Sequence, residues 1–246
     1  MERMHFYAVI IGTEILNGRR SDKHFEFLRE ALAERGHTLH ASLVVTDESP
    51  LIASVFELVR NDPAGVLFSF GGIGSTPDDL TRDVAAQVFT GRGTARHAAF
   101  EKAVIERFGD AAYPHRVRMA DLPEGAELLH NPVNNMSGFS LASRYFFMPG
   151  FPEMSHPMAR EALARYIPDA ALRHRMTLRA DTSENSLIHV MQTLPPDVEL
   201  SSLPMFVDGR PRVDISLSSE DAETTERWFR AFTDELDRLG IAYTRL

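Results

Sequence analysis

The segment from Phe68 to Thr81 carries residue types suited to binding an anion. A short apolar stretch, Phe68-Ser-Phe70, leads into a turn that contains the glycines Gly71, Gly72 and Gly74. Glycine adopts positive φ angles readily and lets a ligand approach the backbone closely. A helix that begins directly after such a turn points free N–H groups at whatever lies there. The segment therefore predicts a phosphate-binding loop that includes Ser75 and Thr76.

The residues after the glycines predict where this helix begins. Thr76 has the side chain of an N-cap, and Pro77 suits the first helical position, where its missing N–H costs nothing. Asp79 falls three residues after Thr76, as in a capping box. Asp79 can therefore cap the helix or belong to a site, and the sequence leaves both roles open.

Asp78 and Asp79 place two carboxylates beside the predicted anion. They would repel a phosphate unless a cation bridges them, or unless they accept hydrogen bonds from an amine, a ribose or a pterin ring. The loop is not a Walker A motif, because no Gly-Lys-Ser/Thr follows it, and Pro77 stands where a dinucleotide fingerprint has its third glycine. We expect the glycines to hold phosphate and the aspartates to bind a ring, a ribose or a cation.

Strands and helices alternate through the first part of the chain, which predicts βαβ units and a mostly parallel sheet. The predicted strands cover residues 5–11, 38–45, 65–70, 126–131 and 145–148. The predicted helices cover residues 21–35, 47–61, 78–89, 97–108 and 152–167. Parallel sheets bind ligands at the carboxyl ends of their strands, and the 71–77 turn follows the third strand directly.

Other polar residues follow strands or begin helices at the same predicted edge. Glu14 lies in the turn Gly12-Thr-Glu-Ile-Leu-Asn-Gly18 after the first strand and is a candidate for a ligand or metal contact. Lys23 could neutralise a phosphate, although a solvated surface lysine is the alternative. Asp47 closes the second strand, where it would add a third carboxylate or cap the next helix.

A polar loop at residues 131–139 separates two apolar strands. Its amides and hydroxyl could bind a heteroaromatic ring or a ribose by hydrogen bonds, but loops of this composition are commonly only turns. The candidate residues of this loop are Asn131, Asn134, Ser137 and Gly138. His115, Arg116 and Arg118 lie in a basic segment that could close over a bound anion.

Composition excludes several classes of protein. The 246 residues include no cysteine, so disulfides, thiolate zinc ligands and a thiol nucleophile are excluded. No apolar run reaches the length of a membrane span, and the start does not resemble a secretory signal. A net charge of −9 argues against a nucleic-acid partner. These features favour a cytoplasmic protein.

The pattern changes after residue 168, and we predict a main domain at 1–168 and a small one at 175–246. The predicted strands of the small domain cover residues 175–180, 199–207, 212–217 and 241–245, with helices at 184–194 and 222–239. The order β-α-β-β-α-β is typical of a split βαβ arrangement in an α+β domain.

Four motifs together resemble the MoaB/Mog molybdopterin-binding family, and specifically the N-terminal branch of CinA-type proteins. The motifs lie between residues 4 and 167 and are Gly12-Thr-Glu-Ile-Leu-Asn-Gly18, Gly71-Gly-Ile-Gly-Ser-Thr-Pro-Asp-Asp-Leu-Thr-Arg82, Asn131-Pro-Val with Ser137-Gly-Phe139, and Pro149-Gly-Phe-Pro-Glu-Met154. The resemblance implies a three-layer α/β/α domain that binds molybdopterin or an adenylated form of it. It also implies site roles for Asp47, Asp78, Asp79 and Thr81.

The resemblance leaves two functions open. The first is a module that binds a phosphorylated pterin or pterin–nucleotide. The second is a pyrophosphatase that cleaves ADP-ribose or FAD with Mg²⁺, Mn²⁺ or Co²⁺ held by Asp78 and Asp79, with Asp47 or Glu14 as a further ligand. A non-catalytic assembly role is a third reading.

The sequence departs from the family at two places and lacks one of its domains. Thr13 stands where relatives often have an acidic residue, and Asn134-Asn-Met136 replaces a run of smaller residues. The amide-hydrolase domain of full CinA proteins does not follow, so we do not expect pyridine-nucleotide deamidation. Residues 175–246 resemble a KH-like connecting domain, which we assign to assembly of a homo-oligomer or to covering the site.

Overall fold

The computed structural model describes residues 4–246. The chain divides into two compact units, Met1–Asp169 and Ala170–Leu246. No helix among the described residues is both long enough and apolar enough to cross a membrane.

The described residues of the first unit form eight strands and six α-helices. Its strands are β1 (His5–Ile11), β2 (Leu39–Val45), β3 (Gly65–Phe70), β4 (Thr94–Arg96), β5 (Asp121–Pro123), β6 (Glu127–Leu129), β7 (Gly138–Leu141) and β8 (Tyr145–Met148). Its helices are α1 (Thr13–Leu16), α2 (His24–Ala33), α3 (Ser49–Arg60), α4 (Thr81–Thr90), α5 (Ala98–Phe108) and α6 (Pro152–Tyr166). Short 3₁₀ helices cover Gly109–Ala112 and Arg116–Ala120.

Six of these strands form one sheet in the order β2-β1-β3-β8-β7-β6. The pairs β1–β2, β1–β3 and β3–β8 are parallel, whereas β7 runs antiparallel to both β8 and β6. Strand β3 is buried over its whole length because helices cover both faces of the sheet. The three-layer, mostly parallel α/β/α fold predicted from the sequence is thus confirmed.

Two apolar layers result, one on each face of the sheet. Val9 and Leu67 pack on the face covered by α3, α4 and α5. Phe6 and Phe68 pack on the face covered by α2 and α6. The alternation of side chains along each strand therefore explains why the central strands are apolar at nearly every position.

The prediction for residues 126–139 was wrong in its details. The strand predicted at 126–131 is the shorter β6, and the end of the predicted polar loop is strand β7. Strand β7 has only four residues and includes the buried Ser140, so it lacks the long apolar run that marks β1 and β3. The sequence predicts no helix or strand at residues 110–125, but the structure has two 3₁₀ helices there and β5, which pairs with β4.

The register places five connecting segments at one edge of the sheet. Phe70 pairs with Met148, so β3 and β8 end together, and Phe139 pairs with Phe147, so β7 begins at the same edge. The segments that follow or precede strands there are residues 12–18, 46–48, 71–80, 130–137 and 149–151. This is the edge at which open α/β sheets bind ligands.

The second unit is a small α+β fold. Its elements are β9 (His174–Ala180), α7 (Ile188–Met191), β10 (Glu199–Val207), β11 (Arg210–Ser219), α8 (Ala222–Leu239) and β12 (Tyr243–Arg245). The sheet order is β10-β11-β9-β12 with antiparallel pairs, so β11 separates β9 from β10 as in a split βαβ arrangement. Phe229 and Phe232 of α8 are buried in its core, as expected for an apolar helix stripe.

Candidate functional site

Thr81 joins the start of helix α4 to the glycine turn. Its hydroxyl donates to the Gly71 carbonyl at 3.0 Å, and its backbone N–H donates to the Gly72 carbonyl, also at 3.0 Å. The Thr81 side chain is completely buried. Thr81 therefore supports the loop from inside the protein, which differs from the direct ligand contact that the family resemblance implies.

The three glycines of the loop are each required by a close contact within the protein. Gly71 and Gly72 have φ angles of +106° and +67°. A Cβ atom on Gly71 would collide with the Ile11 carbonyl oxygen, and one on Gly72 would collide with the Thr81 hydroxyl. A Cβ on Gly74 would lie 2.6 Å from a carboxylate oxygen of Asp79. Their presence therefore does not by itself require a ligand.

The predicted capping arrangement at Thr76 is wrong, because helix α4 begins at Thr81 rather than at Pro77. The carboxylate of Asp79 instead binds back into the loop. One oxygen accepts from the Gly74 N–H at 2.7 Å, and the other accepts from the Thr76 N–H at 2.7 Å and the Thr76 hydroxyl at 2.5 Å. Asp79 thus fixes the conformation of the loop.

The loop retains several unused hydrogen-bond donors. The backbone N–H groups of Gly72, Ile73 and Ser75 make no hydrogen bond within residues 4–246. They belong to the segment that leads from β3 to helix α4, whose amino end favours negative charge. Successive free N–H groups at such a position are the usual protein donors to a phosphate or carboxylate.

Arg82 adds a buried cation that sequence reasoning missed. Only 6% of its side chain is exposed, and its Nη1 atom has no hydrogen-bond partner. Burial lowers the pKa of the guanidinium, although the nearby carboxylates of Asp79, Asp83 and Asp121 favour its charged form. None of them forms an ion pair with Arg82 within the described part of the chain. A buried cation without a close partner is costly, and a bound anion would remove that cost.

Asp47 ties the ends of β1 and β2 together. Both the N–H and the hydroxyl of Thr13 donate to one oxygen of Asp47 at 2.8 Å. Helix α3 begins at Ser49 after Glu48, so Asp47 is not its N-cap. Thr13, one of the departures from the family, is therefore the partner that holds Asp47.

The four candidate carboxylates do not form a metal-ligand set in this geometry. Among residues 4–246, no three of Glu14, Asp47, Asp78 and Asp79 come close enough to share a cation. Both oxygens of Asp79 already accept hydrogen bonds, and Glu14 lies 3.7 Å from Arg20. Asp78 is exposed, and its carboxylate has no partner within the described residues. The metal role of Asp79 stays a prediction, and this arrangement does not favour it.

Asn131 organises the loop at residues 130–137 internally. Its side chain is completely buried, and its amide donates to Asn134 Oδ1 at 2.8 Å and to the Met136 carbonyl at 3.0 Å. Its own oxygen accepts from the Val133 N–H at 3.0 Å. Both amide hydrogens of Asn131 are therefore engaged inside the loop, which favours a structural role for this buried side chain.

The other candidates in this loop differ in what they offer. Asn134 Oδ1 also accepts from the Met136 N–H at 2.9 Å. Gly138 lies in β7, where a Cβ would collide with the Phe147 carbonyl oxygen. Ser137 is half-buried, and its hydroxyl makes no hydrogen bond to any residue from 4 to 246. Among the predicted candidates of this loop, Ser137 is therefore the one whose side chain remains available within the described residues.

Two histidines were not predicted: the buried His24, which contacts Phe70 just before the glycine turn, and the half-buried His156 next to it. His24 stacks on Phe70 with the ring centres 4.4 Å apart, and His156 stacks on Phe27 at 3.7 Å. His24 Nδ1 and His156 Nε2 are buried without partners. Burial lowers the pKa of His24, and burial together with the neighbouring His24 lowers the pKa of His156 to about 4. Both rings are therefore neutral near pH 7.

The cationic candidates from the sequence lie on the surface. Lys23 and Arg118 are both exposed, and Arg116 donates to the Ala111 carbonyl at 2.8 Å. His115 is exposed as well. None of these side chains is held in place by an ion pair within the described residues, in contrast to the buried Arg82.

Comparison with known proteins identifies relatives over most of the chain. A CinA-like protein of Gloeobacter violaceus is 29% identical over 221 residues, which cover 84% of this chain and 51% of that protein. The NMN amidohydrolase-like protein YfaY of Escherichia coli strain K12 is 29% identical over 226 residues, covering 86% of this chain and 55% of YfaY. The chain thus spans about half the length of these relatives.

The fold and the family agree with these matches. The crystal structure of the protein CinA from Thermoplasma acidophilum superposes with a TM-score of 0.61 at 23% identity, covering 68% of this chain and 99% of the CinA chain. That likeness concerns the fold alone. A family model described as a probable molybdopterin binding domain matches residues 7–169, which include every loop of the candidate site. The chain therefore belongs to the family of probable molybdopterin-binding domains.

Proposed function

We propose that the first unit binds a phosphorylated pterin or pterin–nucleotide, such as molybdopterin or its adenylated form, at the 71–80 loop. The observation that carries this proposal is the set of unused donors there. The N–H groups of Gly72, Ile73 and Ser75 have no partner within residues 4–246, and Arg82 contributes a buried guanidinium without an ion pair. Phosphate oxygens satisfy both kinds of donor.

The remaining candidates suit the other parts of such a ligand. Asp78 offers an exposed carboxylate that can accept hydrogen bonds from a pterin amine or a ribose hydroxyl. Ser137 offers a free hydroxyl on the 130–137 loop at the same edge. In this proposal Asp47, Asp79, Thr81 and Asn131 hold the loops in shape and do not contact the ligand.

Metal-dependent cleavage of ADP-ribose or FAD is the alternative function. It would need a divalent cation, Mg²⁺, Mn²⁺ or Co²⁺, beside the pyrophosphate. The exposed Asp78 favours it, but within residues 4–246 no third candidate carboxylate lies close enough to Asp78 and Asp79 to share the cation. We therefore assign no catalytic step to these residues.

Binding is tested by titrating the protein with molybdopterin, with AMP and with an unphosphorylated pterin in a calorimeter. We expect the phosphorylated compounds to bind and the unphosphorylated pterin to bind at least about tenfold more weakly, because it leaves the loop donors and Arg82 unpaired. Equal affinity for the phosphorylated and unphosphorylated pterins would contradict the proposal.

The alternative is tested in parallel. The protein is incubated with ADP-ribose or FAD and each of the three metals, and AMP release is measured by chromatography. Turnover that requires Asp78 would establish the cleavage function, whereas tight binding without AMP release under any metal would exclude it.

The homo-oligomer expected from the sequence is also a proposal, in which the second unit supplies the contacts. Sedimentation of the full chain and of an otherwise identical chain ending at Asp169 would compare their masses. An oligomer that persists without residues 170–246 would contradict an assembly role for that unit.

A further inference from the structure

A second group of metal-binding residue types lies at the opposite edge of the same sheet. His5 begins β1, His40 lies in β2, and Asp62 lies between α3 and β3. One potential ligand atom from each of the three lies within 4.8 Å of the other two. This group lies at the amino ends of the strands, far from the loops of the proposed ligand site, so it is independent of the proposed function.

A β-bulge brings His40 into this group. Phe6 pairs with Leu39, but Tyr7 pairs with Ala41, so His40 is an extra residue in the ladder between β1 and β2. Leu39 consequently packs on one face of the sheet and Ala41 on the other. A bulge redirects the extra side chain, and bulges are rare between parallel strands.

The redirected imidazole of His40 packs on the residues of β1. Its ring stacks on the His5 ring with 4.4 Å between centres and meets the Tyr7 ring edge-on at 5.1 Å. His40 is exposed, and its ring nitrogens make no hydrogen bond within the part of the chain described. The ring is therefore free to turn toward a shared ligand.

Asp62 is already oriented by its neighbours. His5 Nδ1 lies 2.7 Å from Asp62 Oδ2, and the Tyr7 hydroxyl donates to the same oxygen at 2.8 Å. The other oxygen accepts from the Ala64 N–H at 3.0 Å. The bonds from Tyr7 and Ala64 come from outside the proposed ligand set and hold the carboxylate in place, while its oxygens keep further lone pairs for a metal.

We propose that His5, His40 and Asp62 form a binding site for a divalent transition-metal ion such as Zn²⁺. Two imidazoles and one carboxylate are the ligands of three-residue zinc sites, which leave a fourth position for water. Imidazole donors favour Zn²⁺, Co²⁺ or Ni²⁺ over Mg²⁺ and Ca²⁺. The ion takes the place of the proton between His5 and Asp62, and that proton is released to solvent.

Bound metal would join three segments that are distant in sequence. It would connect the start of β1, the bulge of β2 and the segment between α3 and β3. Because a ligand that binds only the folded state stabilises it, Zn²⁺ should raise the melting temperature of the first unit.

The test titrates the EDTA-treated full chain with ZnCl₂ in a calorimeter and follows Co²⁺ binding by the visible absorption bands of tetrahedral cobalt. We expect one ion per chain at this site. His40→Gln should weaken Zn²⁺ binding by at least about tenfold and abolish the Zn²⁺-dependent rise in melting temperature. Asp62→Asn, which keeps an oxygen for Tyr7, should weaken binding similarly.

A matched control separates this site from other surfaces. His130→Gln removes an exposed histidine at the other edge of the sheet. This variant should bind Zn²⁺ like the wild type. Absence of stoichiometric binding to the wild-type chain, or wild-type affinity in His40→Gln, would overturn the proposal without bearing on pterin binding.

Discussion

The loops at residues 71–80 and 130–137 lie at the same edge of the sheet, and both carry polar residues typical of a ligand site. They differ in how their hydrogen bonds are used. In the 130–137 loop, the Asn131 side chain binds Asn134, Met136 and Val133. In the 71–80 loop, the N–H groups of Gly72, Ile73 and Ser75 have no partner within residues 4–246. Arg82, which follows this loop in sequence, is buried without an ion pair to any of those residues.

The comparison shows that polar composition alone does not locate a site. A buried polar group is normally satisfied, so an unsatisfied one needs an explanation. The 130–137 loop resembles a turn that stabilises itself, whereas the 71–80 loop keeps donors that only a ligand or solvent can reach. We therefore expect loss of the Arg82 charge beside the 71–80 loop to change binding, and loss of the Asn131 amide in the 130–137 loop to change stability.

The largest expected effect is on ligand affinity at Arg82. Arg82→Met keeps a long side chain but removes the charge, and should weaken binding of a phosphorylated pterin by about 30-fold or more. The folded state should be unchanged or more stable, by about 1 kcal/mol, because an unpaired buried cation is removed. Calorimetric titration and urea unfolding measure the two effects.

Arg92→Met is the matched control for this variant. Arg92 follows the other end of α4, where it is exposed and paired with Glu124. Arg92→Met should leave the affinity for the phosphorylated pterin unchanged. A loss of stability in Arg82→Met with unaltered affinity would assign Arg82 to the fold and remove the main support for the proposed site.

The second expected effect is on stability at Asn131. Asn131→Ala removes three internal hydrogen bonds from a buried position and should lower the free energy of unfolding by about 2 kcal/mol. Ser137→Ala, in the same loop, should change it by less than about 0.5 kcal/mol. Urea unfolding compares the two variants. Equal stability of both would contradict the structural role of Asn131 in the 130–137 loop.

Much of the fold could be predicted from the sequence. The apolar runs of β1 and β3 indicate strands buried on both faces, and the glycine turn after β3 marks the edge where the loops meet. Strand β7 could not be predicted, because its four residues include Ser140 and follow a polar segment. Its position depends on pairing with Phe147 and Tyr145 of β8, which is a tertiary constraint.

The loops of the candidate site could be located from the sequence, but their contacts could not. The spacing of Thr76 and Asp79 correctly indicates that the Asp79 carboxylate accepts from the Thr76 N–H, yet the helix begins later, so this bond closes the loop instead of capping the helix. Nothing local marks Arg82 as buried, since its burial depends on segments remote in sequence. His40 likewise depends on the register between two strands.

The third expected effect concerns His24 and His156. Each has a buried ring nitrogen without a hydrogen-bond partner among the described residues. The pKa of His156 is about 4 in the folded state and 6.5 ordinarily, so the unfolded chain binds the proton first as the pH falls. Stability should therefore decrease from pH 6.5 toward pH 4, by an amount on the order of 1 kcal/mol from this residue.

His156→Phe isolates this contribution, because phenylalanine retains the stack on Phe27 without the titrating group. Urea unfolding at several pH values should show a shallower decrease between pH 6.5 and pH 4 in the variant than in the wild type. If the stability of the variant and of the wild type changed equally with pH, the pKa of His156 would be the same in the folded and unfolded states. The carboxylates contribute identically to both proteins and cancel in the difference.

The smallest expected effect separates the two neighbouring aspartates within the 71–80 loop. Asp79→Asn has one acceptor oxygen where the carboxylate uses two, and should lower the free energy of unfolding by about 1 kcal/mol. Asp78→Asn should leave the free energy of unfolding unchanged, since the exposed Asp78 carboxylate has no partner within residues 4–246.

Ligand affinity should respond to Asp78→Asn directly, whereas Asp79→Asn should act by loosening the loop that presents the free N–H groups. Urea unfolding with and without ligand distinguishes these routes, and a destabilised Asp78→Asn would show that the wrong aspartate has been assigned to the loop.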